Sequence, residues 1–256
     1  MKKLTSLVAM LMIVSTSAFA QFANSGASKS MSTSSADTNG WQGVTASYNM
    51  GALTYDFDGA KDTDLNGFSI GYVKAFSISK DLPLFVETGL NFTYATGEEI
   101  DSDYKEWYDN YYGGYITNTC ETKYEYAYYG VTIPVNLAYK YVVNDELQVI
   151  PFTGVYFRGN ISAKVDYAHK DYGYSPYAGG NYVDDQSSGS YDLYDKEEAQ
   201  QCGFEKAWNR FNFGWQIGAK VAYKNFTAGL SYGLDLNEIS KKVKMNNLSI
   251  SVGYNF

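Results

Sequence analysis

From Trp41 onward, apolar and polar residues alternate with period two along most of the chain, a pattern that predicts half-buried β-strands rather than helices. It is cleanest at the C-terminus. There Leu248, Ile250, Val252, Tyr254 and Phe256 share one parity, and Asn247, Ser249, Ser251, Gly253 and Asn255 share the other. The same alternation recurs at Val44, Ala46, Tyr48 and Met50, at Phe68, Ile70 and Tyr72, and from Leu84 to Tyr94. Further segments cover 133–141, 213–223 and 226–232, and the stretch 148–166 is strand-like with apolar residues on both parities, so its register stays open. These make eight strands, an even number, as single-chain bacterial membrane barrels have.

The connections alternate as regularly as the residues. Short links at 79–83, 143–147 and 224–225 follow the second, fourth and sixth strands; long ones at 56–66, 96–123, 167–207 and 235–245 follow the odd strands. This predicts an all-β fold, an eight-stranded antiparallel up-and-down transmembrane β-barrel with periplasmic turns and extracellular loops. A soluble up-and-down barrel also alternates, so the second face must choose between them. That face carries Glu87, Asn91, Asn136, Lys140, Arg158, Gln216 and Lys220, which suit a polar lumen and would be costly in a dry core unless paired. Eight strands enclose a space just wide enough for side chains to fill. Glu87 is therefore expected to pair with one or more of Lys140, Arg158 and Lys220, and a continuous water channel is not expected. Lys74 breaks the pattern on the apolar parity, near the short-turn end where it can snorkel.

Composition agrees with this picture and narrows the partners. The chain has 26 Tyr and 24 Gly but only 4 Pro, a bias toward strands and turns. Mean hydropathy is -0.33 and no second apolar run is long enough for a spanning helix, so any crossing must be made by strands. A net charge of -8 argues against nucleic acid. At the start, Lys2 and Lys3 precede an apolar run from Leu4 to Val14 and the small-residue pattern Ala18-Phe19-Ala20, which predicts a secretory signal peptide over 1–20. A Ser-, Ala- and Thr-rich tail is expected over 21–40, with the barrel over 41–256.

Several stretches carry a family resemblance: Thr132-Ile133-Pro134-Val135-Asn136-Leu137-Ala138-Tyr139-Lys140, Phe211-Asn212-Phe213-Gly214, Gly229-Leu230-Ser231-Tyr232-Gly233-Leu234 and the ending Ser251-Val252-Gly253-Tyr254-Asn255-Phe256. With them, residues 41–256 resemble the outer-membrane protein beta-barrel domain family, small barrels of the OmpA/OmpX type. The resemblance implies an outer-membrane location in a Gram-negative cell envelope, with lipid as the surrounding partner. It also implies that Val252, Tyr254 and Phe256 form the signal read by the barrel-assembly machinery. It supplies no catalytic motif.

The candidate chemistry lies in the long loops. Cys120 and Cys202 fall in the second and third of them, where an oxidising compartment favours a disulfide; two free thiols are the alternative. The run Asp56-Phe57-Asp58-Gly59-Ala60-Lys61-Asp62-Thr63-Asp64 resembles part of a calcium loop but lacks the downstream bidentate Glu, so a solvated acidic loop is expected, as for Glu98, Glu99, Asp101 and Asp103. Tyr108, Tyr111, Tyr112, Tyr172 and Tyr174 sit among Gly, Ser, Asn and Asp and offer amphipathic area for an extracellular ligand or host surface. Equally, these tyrosines can extend the strands and pack on one another. His169 is the sole histidine, so no His-based metal cluster and no cofactor are expected, and Asp171 and Ser175 beside it form no hydrolase signature. The leading expectation is a monomeric, non-enzymatic barrel with a structural or adhesive role. A transport or envelope-assembly component comes second, and a lipid-modifying enzyme last.

Overall fold

The computed structural model describes residues 38–56, 61–111, 113–177 and 179–256. The expected signal peptide and nearly all of the expected tail lie outside them. Among the described residues ten strands form: β1 Gln42–Tyr55, β2 Thr63–Ser77, β3 Leu84–Asp109, β4 Gly114–Tyr139, β5 Tyr141–Val142, β6 Leu147–Ser175, β7 Gly180–Asp192, β8 Phe211–Tyr223, β9 Phe226–Asp235 and β10 Val243–Asn255. A short helix, α1 Lys196–Gln201, follows β7. Eight of the strands close a ring. β1 to β4 pair in sequence order, β4 pairs with β6, β6 with β8, β8 with β9, β9 with β10, and β10 returns to β1.

The closing seam has no slip. Tyr48 faces Ile250 and Val44 faces Tyr254, and the Phe256 amide donates to the Gln42 carbonyl at 3.0 Å. No edge strand remains in the ring, so every ladder group has a neighbour, as crossing a hydrocarbon layer requires. The strand whose register the sequence left open is β6, which runs continuously from the short-turn end against both β4 and β8. Its ladder with β4 shifts by one residue at Tyr129/Gly130. Apolar residues fall on both parities of its sequence because Ile150, Phe152 and Tyr156 fill the lumen while Val155 and Phe157 face outward, and the shift exchanges the parities further along.

The two faces carry opposite chemistry, and the apolar one points outward. Phe68 and Ile70 are 65 % and 66 % exposed, and Phe226, Val252, Leu137, Ile133 and Ile250 continue the band. An apolar belt of this extent is untenable in water, which excludes a soluble barrel and fits contact with lipid. Rings border the band: Phe226 on Tyr254 toward the short turns, and Tyr94 on Tyr129 and Phe157 on Phe211 toward the long loops. Lys74 lies on this outer face with its Nζ 5.2 Å from the Phe76 ring, at the short-turn end.

Inside, the lumen is filled in three layers. Trp41, Phe85, Ile150, Phe152 and Ala222 seal the short-turn end. A polar belt crosses the middle. At the long-loop end, residues 193–208 fold back over the mouth and bury Leu193, Ala199, Phe204 and Trp208 against Leu53, Leu65, Tyr126, Val165, Ile239 and Met245. Burial of side chains such as Phe204 or Trp208 contributes about 2–3 kcal/mol each. The plug is held by α1, whose N-cap Asp195 accepts from the Glu197 and Glu198 amides.

The expected loops at 96–123 and 167–207 are mostly strand. β3 and β4 stay paired out to Asp109 and Gly114, β4 and β6 out to Thr117 and Tyr174, and β6 turns back into β7 at Ser175 and Gly180. Four strands therefore leave one wall of the barrel as a continuous antiparallel sheet. β2 stops at Thr63, whose hydroxyl donates to Glu99, so β3 rises another ten residues beyond the rim, roughly 30 Å.

Candidate functional site

Among the described residues, two ion-paired groupings occupy the lumen, and each is held by facing strands. In the first, Glu87 on β3 is 2 % exposed, and both of its carboxylate oxygens accept from Lys220 Nζ on β8 at 2.6 Å. Asn136 Nδ2 and Trp41 Nε1 complete its donors at 3.3 and 3.2 Å, and Gln216 donates in turn to Asn136 at 2.7 Å. The expected Glu87–Lys220 pair is thus present, but the other two expected partners are elsewhere. Lys140 donates to the Asn39 carbonyl at 2.6 Å, with its ammonium over the Phe85 and Trp41 rings. The chain is therefore already tied down at Asn39, inside what the sequence assigned to the tail.

Arg158 forms a lumen ion pair of its own. Its Nη2 meets Asp235 Oδ2 at 2.5 Å, and Asp235 also accepts from the Tyr156 hydroxyl at 2.7 Å. The register explains the choice. Glu87 lies level with Asn136 and Gly154, whereas Arg158 stands four residues further along β6, about 13 Å closer to the long-loop end. Asn160 extends this grouping. It accepts from Arg158 Nε and the Tyr128 hydroxyl and donates to Asn212 and the Asn209 carbonyl. Asp235 escaped the sequence reading because it was placed at the start of a loop; its lumen-facing parity within β9 was the available signal.

The projecting sheet has two distinct faces. Its outer face, continuous with the lipid-facing parity, carries Tyr104, Tyr108, Tyr115, Tyr172 and Tyr174. Tyr108 packs edge-on against Tyr115 at 5.1 Å, and Lys170 lies over the Tyr172 ring. Tyr111 stands at the tip, 86 % exposed, and Tyr112 lies outside the described residues. Tyr104 and Tyr115 were missed as candidates although they share the face. The tyrosines both extend the strands and remain open to solvent.

The opposite face looks over the barrel mouth. Asp103, Cys120, Asp171 and Asp185 form one row across β3, β4, β6 and β7, and Asp101, Thr122, His169 and Ser187 form the next. A single histidine offers no His-based cluster, yet strand pairing gives it neighbours of other types. Cys120 and Asp171, 49 and two residues from His169 respectively, arrive beside it through strand pairing. Ser175, by contrast, sits at the β6–β7 hairpin, about 20 Å along the strand from His169. A Ser-His-Asp grouping of these residues is not assembled.

The expected disulfide is not formed, and both cysteines are free. Cys202, at the C-terminus of α1, packs into the plug cluster, beside Tyr124. Cys120 lies four residues beyond Tyr124 on β4, about 13 Å along the strand, well past the roughly 7 Å over which two Cα atoms can be bridged. Burial, aided by Glu198, pushes the Cys202 thiol up to about 11. The Asp171 carboxylate, through its contact with the thiol, raises that of Cys120 above its ordinary value. In the acidic stretches, residues 57–60 lie outside the described residues. Glu98 pairs with Lys123 at 3.0 Å, and Glu99 accepts from Thr63 and Tyr126 inside the rim.

Known proteins were compared with the chain at the levels of family, sequence and fold. The profile of the outer membrane protein beta-barrel domain matches residues 19–241. No curated protein sequence matches. Among solved structures, Ail, the attachment invasion locus protein of Yersinia pestis, is 14% identical, with 85% of this chain and 99% of that one covered and a TM-score of 0.35. Neisserial surface protein A is 11% identical, with 84% and 97% covered and a TM-score of 0.37. The N-terminal barrel domain of Pseudomonas aeruginosa OprF is 14% identical, with 83% and 97% covered and a TM-score of 0.29. Likenesses this loose carry no argument about ligand or activity.

Proposed function

As this chain belongs to the outer membrane protein beta-barrel domain family, it is an integral outer-membrane barrel, and we propose that it acts as a non-enzymatic surface-contact module. The observation that carries this reading is the projecting sheet formed by the outer parts of β3, β4, β6 and β7, whose outer face presents exposed tyrosines. Tyrosine gives large, amphipathic contact area at low entropic cost, and a hydrogen-bonded sheet holds it in a fixed array. The filled lumen supports the same reading from below, since a barrel plugged at both ends serves as a mount rather than a conduit. The partner is an extracellular ligand or host surface. The sheet stands on the long-loop side, which is the external side for a barrel with short periplasmic turns.

Val252 and Tyr254 on the lipid face of β10 and Phe256 just past its end lie exposed, where an assembly machinery can read them before the seam with β1 closes. We assign them that role together with lipid contact, and we take the working unit to be a monomer.

Cells displaying the protein are to be screened against glycans, matrix proteins and host cells, beside a variant with Tyr108, Tyr111, Tyr172 and Tyr174 changed to Ser. Binding by the parent and its loss in the variant, with both showing heat-modifiable mobility on gels, is the expected result. A transport or envelope-assembly role is favoured instead if deleting the protein weakens the envelope while the tyrosine variant restores it fully and neither form binds a surface.

A further inference from the structure

The mouth-facing side of the projecting sheet brings together three side chains that the surface-contact reading does not use. The Sγ of Cys120, a ring nitrogen of His169 and a carboxylate oxygen of Asp171 all lie within 4.8 Å of one another, half-buried on adjacent strands. We propose that Cys120, His169 and Asp171 form a binding site for a divalent transition metal, zinc foremost.

The ligand chemistry selects the metal. A thiolate and an imidazole are poor partners for calcium or magnesium and good ones for zinc, which accepts S, N and O ligands in a tetrahedral arrangement. Thiolate and carboxylate together supply two negative charges, which neutralise the dication. On binding, the Cys120 thiol releases its proton to solvent and its sulfur forms the metal bond. Three protein ligands leave a fourth position for water; Asp103, which faces Cys120 from β3, is paired with Lys105 at 3.0 Å.

The surroundings are arranged as a metal site needs. Thr122 Oγ1 lies 2.9 Å from His169 Nδ1, so Nδ1–H can donate to the hydroxyl and leave the Nε2 lone pair free for a metal. Nε2 is the nitrogen that faces Asp171, 3.9 Å from its Oδ2. Outer hydrogen bonds of this kind fix the tautomer and ring direction of ligating histidines. One acceptor of the grouping itself, Asp171 Oδ1, is sealed from solvent without a hydrogen-bond donor among the described residues. A buried acceptor in that condition is uncommon, and a cation bound by Asp171 would satisfy it. The β6–β7 ladder also shifts register between Asp171 and Tyr172. Such bulges re-aim side chains and recur beside functional sites.

The test uses the full barrel in detergent, reduced and stripped of metal, titrated with cobalt(II) as a spectroscopic substitute and with zinc against a chromophoric chelator. One equivalent should bind, and cobalt should give a sulfur-to-metal charge-transfer band with the visible bands of a tetrahedral site. Cys120→Ser should abolish the charge-transfer band. His169→Ala and Asp171→Asn should each weaken zinc binding by more than about tenfold, and Thr122→Val by about tenfold. Cys202→Ser, which alters the other thiol, should leave both readouts unchanged. Heat-modifiable mobility checks that every variant is folded. The site is refuted if the folded wild type takes up no stoichiometric metal, if the band survives in Cys120→Ser, or if it is lost in Cys202→Ser.

Discussion

Glu87 and Lys220 show how much a single ion pair matters when the rest of the site is closed to water. Removing the ammonium leaves a buried carboxylate with only the Asn136 and Trp41 donors. Breaking one side of such a pair costs about 3–5 kcal/mol, whereas replacing both sides together costs much less. Lys220→Met should therefore lower the urea midpoint of the barrel in detergent sharply, and adding Glu87→Gln should restore most of it. Equal losses in the single and double variants would show that the pair is not coupled. Cys202 gives a second measure at this scale. With its thiol at about 11 against an ordinary 9.0, its thiolate fraction at neutral to mildly alkaline pH is about 100-fold below that of an exposed cysteine. In a Cys120→Ser background, iodoacetamide should modify Cys202 about 100-fold more slowly in the folded protein than in urea. Matching rates would mean the thiol is not buried.

At the scale of elements, the lumen-facing Tyr156 needs a small residue opposite it. A Cβ added at Gly214 on β8 would lie 2.1 Å from the Tyr156 ring and 2.4 Å from the Leu234 carbonyl. Gly214→Ala should destabilise by about 1–3 kcal/mol, read from the same urea curves, because the tyrosine that serves Asp235 cannot retreat in a filled lumen. The plug depends on a weaker device. Asp195→Ala removes the cap of a six-residue helix and should cost about 1 kcal/mol locally. Amide exchange in 193–208 should rise while the ring strands keep their protection. Faster exchange across the strands as well would show that plug and barrel open as one unit. The ring strands were readable in the sequence because lipid contact enforces strict alternation on one face. The outer halves of β3, β4 and β6, and the whole of β7, were not, since both faces of that sheet meet water and Asp, Ser, Gly and Tyr fall on either parity.

On the scale of the whole molecule, the two apolar layers decide whether the barrel conducts. Trp41 and Phe85 close one end and the plug around Phe204 and Trp208 the other, with the ion-paired belt between them. In planar bilayers the protein should show no stepwise conductance. Deleting 194–207 should admit, at most, small openings limited by the layer at the opposite end. Steady channels from the intact protein would overturn the picture of a filled mount. The sequence by itself determined the eight strands of the ring, the alternation of short and long connections, the lipid-facing parity and the polar character of the lumen. All of these are local patterns, fixed by the period-two geometry of a strand and by the solvent each face meets. Only the tertiary structure decided which charges pair, that residues 193–208 close the mouth, that two long loops are one sheet, and that the single histidine stands beside a cysteine and an aspartate. These depend on register between strands remote in sequence, and a one-residue shift changes every partner across a ladder.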